Sequence, residues 1–261
     1  MRVTLTENQH KLLLEREGDL TFIKGSNVIF NRIFGDLKRF DILKAERMLK
    51  SAIVIFQQEF PDIQVEIKRR NQKLSEIILT YHFDMEDFFN DLSPQAIQIK
   101  IHITTQNAPA YGVYSEEGII QVFCELKSFR EIVSQLFLAR KGTLTHELKH
   151  YHDDLRTDFK ASQNYQYSPS SKFVKNQEKF TNMRKKYLEQ PFEKNAFFNS
   201  ILTKTLDSLD SEENSLLSKE EKIQAGIKFA KEEMEDVYEE YLTPELKKYI
   251  LSRLYSSLSI M

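Results

Sequence analysis

A single cysteine, Cys124, stands in the 261 residues of this chain. That excludes an intramolecular disulfide framework and any cysteine-built zinc knuckle. Seven glycines and six prolines are few for the length, which argues against a loop-rich all-β fold and for substantial helix. Charge of one sign is also lacking. The 37 Lys and Arg against 39 Asp and Glu leave a net charge of −2, so there is no overall pull toward nucleic acid or an anionic membrane. The longest apolar runs, such as residues 52–56, are far too short to span a bilayer. Residues 1–20 show no basic stretch followed by an apolar one, so no secretion signal is legible. These absences predict a cytoplasmic protein, of a host cell or a bacterium, without membrane or nucleic-acid partners. What is present is ordinary globular composition, 41% apolar and 29% charged, which excludes disorder over most of the length.

The pattern changes along the chain. Over residues 31–60, Phe34, Leu37, Phe40, Leu43, Met48, Ala52 and Ile55 recur mostly at three- and four-residue steps, predicting one helix that Pro61 ends. Alternation then predicts strands over 63–67, 75–82 and 96–104, the last with Ile97, Ile99, Ile101 and Ile103 on one face. A turn at residues 115–118 precedes a further strand over 119–124. From Ser128 onward the pattern is helical, with segments at 129–139 and 143–156. A polar aromatic loop occupies 161–171, and helical patterns return near Phe173 and from Pro191. Residues 206–218 read as a surface connection. Ser218 and Glu221 make a capping-box pattern ahead of a long helix striped by Ile223, Ile227, Ala230, Met234 and Val237. The expected organisation is a mainly helical N-terminal region (1–60), a central domain (61–205) and a helical C-terminal extension (206–261).

The informative stretch is Thr145-His146-Glu147-Leu148-Lys149-His150-Tyr151-His152-Asp153-Asp154. Its His-Glu-x-x-His places two imidazoles four residues apart, stacked on one face of a helix. There they can share one zinc ion at about 2.0–2.1 Å each, with the intervening glutamate facing a metal-bound water. Leu144, Leu148, Tyr151 and Leu155 form an apolar stripe on another side, so the helix can be buried and rigid. Chance produces this motif in roughly 0.01 chains of such composition, the false-positive risk that short motifs carry.

Two histidines leave zinc short of a third protein ligand. Asp154, four residues past His150, reaches the metal only if the helix ends there. A third histidine four or six residues past His150 is absent, since Asp154 and Arg156 hold those positions. Glu193 is the better candidate. It follows Pro191, which suits the first turn of a helix, although an acidic residue also favours a helix start on its own account.

His146-Glu147-x-x-His150 with a downstream glutamate resembles the gluzincin branch of zinc metallopeptidases. The run Pro191-x-Glu193-x-Asn195-Ala196-Phe197 is similar to the third-ligand helix of small phage- or plasmid-encoded members. The likeness covers roughly residues 97–200 and has no counterpart for the C-terminal part. It implies an α+β, zincin-like fold: a small mixed sheet whose last strand (119–124) is the substrate-binding edge, and an active-site helix. It implies one Zn2+ held by His146, His150 and Glu193, and peptide-bond hydrolysis with Glu147 as general base and then acid. Tyr187 and His152 are candidate oxyanion donors, and Asp153 a candidate carboxylate orienting an imidazole. The partner expected is a protein or peptide substrate, added to the strand region 114–124 by β-augmentation, with the loop 161–171 lining the cleft. The alternative is a non-catalytic interaction or virion-associated protein with the same fold. A general base has no use in such a protein, so Glu147 argues against it. A nucleic-acid-associated regulator is weaker still, given the balanced charge. His10, His82 and His102 read as isolated structural or solvent-facing residues, and Cys124 as a small buried one.

Overall fold

A computed structural model describes residues 7–89, 95–108, 110–115, 118–157, 177–211, 214, 216–238 and 240–261. Its architecture is mixed α+β, with one five-stranded sheet and eight α-helices among the described residues. The chain forms two compact units, Gly25–Phe159 and a second made of Met1–Lys24 with Lys160–Met261. Among the described residues no helix is long and apolar enough to cross a membrane.

The unit Gly25–Phe159 holds most of α1 (Glu7–Glu46), then α2 (Leu49–Glu59), the sheet, α3 (Val133–Leu138) and α4 (Lys141–Arg156). The single helix expected over 31–60 is two. Met48 is extended (φ −65°, ψ 144°), and the chain folds back so that the rings of Phe40 and Phe56 meet edge-on at 5.3 Å. In one continuous helix they would stand about 24 Å apart. Arg39 and Glu59 close the same hairpin with a two-pronged ion pair at 2.7 and 2.6 Å. Pairing of the two apolar stripes overrides a helical pattern that nothing local interrupts.

The strands are β1 (Gln64–Arg70), β2 (Lys73–Asp84), β3 (Ala96–Thr104), β4 (Gly112–Ser115) and β5 (Ile119–Glu125). β1 and β2 form a hairpin through Asn71 and Gln72, both at positive φ (49° and 63°), the backbone signature of a two-residue type I′ turn. The sheet order is β1-β2-β3-β5-β4, antiparallel except where β5 pairs parallel with β3. Ile97, Ile99, Ile101 and Ile103 are buried on one face beside Ile120, Val122 and Cys124 of β5. The expectation that 119–124 is the edge strand is corrected here. β5 lies inside the sheet, because β4 folds back onto it and becomes the edge. The Gly118 N–H closes that hairpin onto the Ser115 carbonyl at 3.0 Å, with Gly118 at φ +71°, a conformation that favours glycine.

α3 is shorter than the expected 129–139. Glu131 accepts from the backbone N–H groups of Lys127 and Ser128. Lys44 holds the carbonyls of Phe129 and Glu131. Asp41 accepts from the N–H groups of Val133 and Ser134 at 2.9 and 2.8 Å, so a distant carboxylate caps the helix where it starts.

The second unit contains α5 (Gln177–Leu188), α6 (Pro191–Leu209), α7 (Lys219–Tyr238) and α8 (Pro244–Ser259), with the first part of α1. α6 begins at Pro191 as the sequence predicts, and runs through 209 into the segment expected to be a connection. Ser218 and Glu221 make the capping box reciprocally, at 2.8 and 3.3 Å. On α7, Ala230 and Met234 are buried, Ile223 and Ile227 are half-buried, and the Val237 side chain lies outside the described residues. The Arg253 guanidinium joins α8 to Asp19 of α1 at 2.9 and 2.7 Å, and to Asn195 of α6 at 2.9 Å.

Candidate metal centre

α4 carries the His-Glu-x-x-His residues. Leu144, Leu148 and Tyr151 of its apolar stripe are buried, Leu155 is half-buried, and the Tyr151 hydroxyl donates to the Ala96 carbonyl at 3.3 Å. The Thr157 hydroxyl closes the other end by donating to the carbonyls of Asp153 and Asp154. A helix anchored along its length holds the side chains on its remaining faces in fixed directions.

Two of those side chains converge. His146 Nε2 and His150 Nε2 stand 3.0 Å apart, with the rings perpendicular. Two nitrogens bound to one tetrahedral zinc at about 2.0–2.1 Å stand about 3.3 Å apart. The pair has to open by only about 0.3 Å to match that spacing. His150 is buried and His146 half-buried. A neutral imidazole has one bare ring nitrogen, so either one ring donates to the other here or both bare nitrogens face one cation.

Glu147 is buried beside the pair and faces β4. A Cβ on Gly112 would lie 3.0 Å from Glu147 Oε1 and 2.5 Å from Thr143 Cγ2. The edge strand can run this close to the carboxylate only because residue 112 has no side chain. Two residues on, the Tyr114 hydroxyl donates to Asp154 at 2.7 Å, and its ring lies near-parallel to that of His150 at 6.3 Å. Asp154 is fully buried, and α4 continues beyond it to Arg156. The helix end on which its reach to a metal depended is therefore absent.

The remaining expected residues are placed as follows. Asp153 accepts from Lys149 Nζ at 2.7 Å and stands 3.7 Å from His152 Nδ1. Burial opposes its charge, yet the His152 ring and the Lys149 ammonium hold its carboxyl down at about 2. The imidazole that Asp153 approaches is thus that of His152, which lies about 200° around the helix from His150 and meets the Phe89 ring edge-on at 5.3 Å. Glu193 belongs to the second unit, in the first turn of α6, and is 1% exposed. Nearby on α6, the Asn195 side chain accepts from Arg253 at 2.9 Å and Tyr249 at 3.3 Å. Tyr187 is buried on α5, under the Arg184 guanidinium at 5.5 Å. The loop 161–171 lies outside the described residues. His82 is exposed. His102 is buried, with Nδ1 2.8 Å from Glu76, and the His10 side chain lies outside the described residues. Cys124 is fully buried, and burial pushes its thiol up to about 12.

Sequence reasoning missed Gly112, Thr143 and Tyr114. The signal for the first was a glycine opening a short strand, where backbone comes close to another group. No family model, curated protein or solved structure matches the chain.

Proposed function

We propose that the chain is a zinc-dependent peptide hydrolase of zincin-like fold. His146, His150 and Glu193 are the metal ligands, each offering one donor atom of a kind that zinc takes. The observation that carries the reading is the convergence of the two Nε2 atoms at 3.0 Å beside a buried glutamate. Glu193 is a deeply buried carboxylate, 1% exposed, of a residue type that zinc takes. When bound, zinc supplies an acidified water and polarises the carbonyl of the substrate.

Glu147 takes the proton of the attacking water and returns it to the departing amine, so that one C–N bond breaks as one C–O bond forms. Its contact with Gly112 places the carboxylate at the edge strand, where an extended peptide can add by backbone pairing. The substrate is a protein or peptide. A non-catalytic binding role would keep the ligands and make no use of Glu147.

Metal content of the purified protein, measured by elemental mass spectrometry, tests this. About one zinc per chain is expected, lowered in Glu193→Ala and kept in Glu147→Gln, with peptide cleavage only in the wild type. No zinc in any preparation, even after reconstitution, would overturn the reading. Zinc untouched by Glu193→Ala would move the third ligand to another residue.

A further inference from the structure

The start of β4 carries a feature that backbone pairing does not use. Tyr111, just before Gly112, lies under the guanidinium of Arg140, with Cζ 3.8 Å from the ring centroid. Arg140 immediately precedes α4, and its Nε donates to the Phe123 carbonyl of β5 at 3.3 Å. Stacking and this hydrogen bond fix the plane of the guanidinium. Among the described residues no carboxylate or carbonyl takes either Nη nitrogen. Tyr111 is 60% exposed, so the site is open. A held arginine fork loses little freedom when it takes a carboxylate, which it matches with two parallel hydrogen bonds.

Its position relative to Glu147 follows from the ladder. The Phe123 N–H donates to the Tyr111 carbonyl at 3.0 Å, so residues 111 and 113 turn their backbone groups into the sheet. By alternation, Gly112 turns its backbone groups to the outer side of β4, the edge strand among the described residues. An added peptide strand would pair at Gly112, with Glu147 against it. Arg140 stands seven residues before Glu147, about 10 Å along the helix axis, against the Tyr111 side chain, which by alternation leaves β4 on the face opposite that of Gly112.

We propose that Arg140, fixed over Tyr111, forms a carboxylate-binding subsite that selects peptides bearing an acidic group within about three residues of the bond cleaved. The proposal rests on the hydrolase reading of α4 and narrows its substrate. The carboxylate belongs to an Asp or Glu side chain or to the C-terminus of the peptide, and the experiment separates the two.

Zinc-loaded wild type, Arg140→Gln, Arg140→Lys and Arg140→Glu are given a proteome-derived peptide library in two forms, with free and with amidated C-termini. Cut positions are read by mass spectrometry. In parallel, retention of the same library is measured on immobilised Glu147→Gln and on Glu147→Gln/Arg140→Gln. Acidic groups should be enriched about tenfold or more at one position relative to the cut in the wild type. The enrichment is weakened in Arg140→Lys, lost in Arg140→Gln and turned toward Lys and Arg in Arg140→Glu. Retention of acidic peptides falls likewise when Arg140 is replaced. Selection that survives amidation assigns the carboxylate to a side chain, and selection abolished by it assigns the C-terminus. The same cut sites in wild type and Arg140→Gln, or retention unchanged between the two immobilised proteins, would overturn the subsite. Arg140-dependent retention without cleavage by the wild type upholds the subsite and overturns the hydrolase reading. Cleavage without acidic selection does the reverse.

Discussion

His102 in the sheet and the His146–His150 pair on α4 are histidines of the same unit, His102 and His150 buried and His146 half-buried, and one ring nitrogen of each faces a different kind of neighbour. His102 lies against Phe123, ring centroids 4.5 Å apart, with Nδ1 on one oxygen of Glu76. Lys68 takes the other oxygen at 3.2 Å. Imidazole, carboxylate and ammonium follow one another across β3, β2 and β1, and the charge is answered within the sheet. On α4 the nitrogen of one imidazole faces the nitrogen of another, beside a glutamate whose carboxylate is pressed against an edge strand. Burial of a histidine therefore does not by itself mark a candidate ligand; the neighbour of the ring nitrogen is what differs between the two places.

The largest expected effect sharpens that contrast. Glu147→Gln should lower kcat by about 10²–10⁴-fold, the range for loss of a general base, while zinc content stays unchanged. His102→Gln should leave both zinc content and turnover within about twofold, and should lower stability by about 1–3 kcal/mol for the broken charged hydrogen bond. Elemental analysis, turnover and urea unfolding on the same preparations read all of this. Zinc lost from His102→Gln would erase the distinction between the two places.

Next comes Gly112→Ala, which attacks the contact between strand and helix without touching a ligand. The added methyl would lie 2.5 Å from Thr143 Cγ2 and 3.0 Å from Glu147, so β4 or the Thr143 side chain must move and the glutamate must give slightly. Overpacking of this kind costs about 1–3 kcal/mol. Turnover should fall about tenfold or more, since small misplacements of a catalytic group are costly, with zinc retained. Full turnover in Gly112→Ala would show that the closeness of β4 to Glu147 has no catalytic consequence.

How much of this was legible depends on how local each feature is. His146, Glu147 and His150 could be read because four-residue spacing on a helix is a local geometry. So could the start of α6 at Pro191 and the capping box of Ser218 and Glu221. The break at Met48 could not, because no Pro or Gly marks it and it is decided by Phe40 meeting Phe56. Strand order was hidden for the same reason. β4 is four residues long, shows no clear alternation, and takes the edge only through pairing with β5. The Tyr114–Asp154 hydrogen bond joins residues 40 positions apart, a link that periodicity does not carry.

Smaller effects concern acid. Asp153 is held down at about 2, below the unfolded value near 3.9. Its contribution is therefore present above pH 4 and disappears as pH falls from there through about 2, and is worth about 2 kcal/mol. Burial works against the charge of Glu76, but His102 and Lys68 together lower its carboxyl. Its contribution has the same sign and is lost on acidification below its unfolded value of about 4.3. Asp153→Asn and Glu76→Gln should each flatten the acid side of the stability–pH curve, Asp153→Asn at the lower pH. A steeper acid side in either variant would reverse the assigned sign.

The smallest effect falls on Cys124, one strand over from His102 and of a residue type that also binds zinc. It lies on β5 opposite Ile103 of β3 and is fully buried. Burial, the largest influence, raises the thiol to about 12; Arg140 works weakly against it and Asp41 with it. The thiolate is the form that binds metal and attacks disulfides, so at pH 8 this sulfur is inert on both counts. Native protein should leave a thiol-reactive disulfide reagent unconsumed at pH 8 and react fully in urea. Cys124→Ala should keep one zinc per chain and cost about 1–2 kcal/mol, the removal of a small buried group. Rapid labelling of the native protein would mean that the centre of the sheet opens to solvent, and the contrast between the closed sheet and the histidine pair of α4 would have to be redrawn.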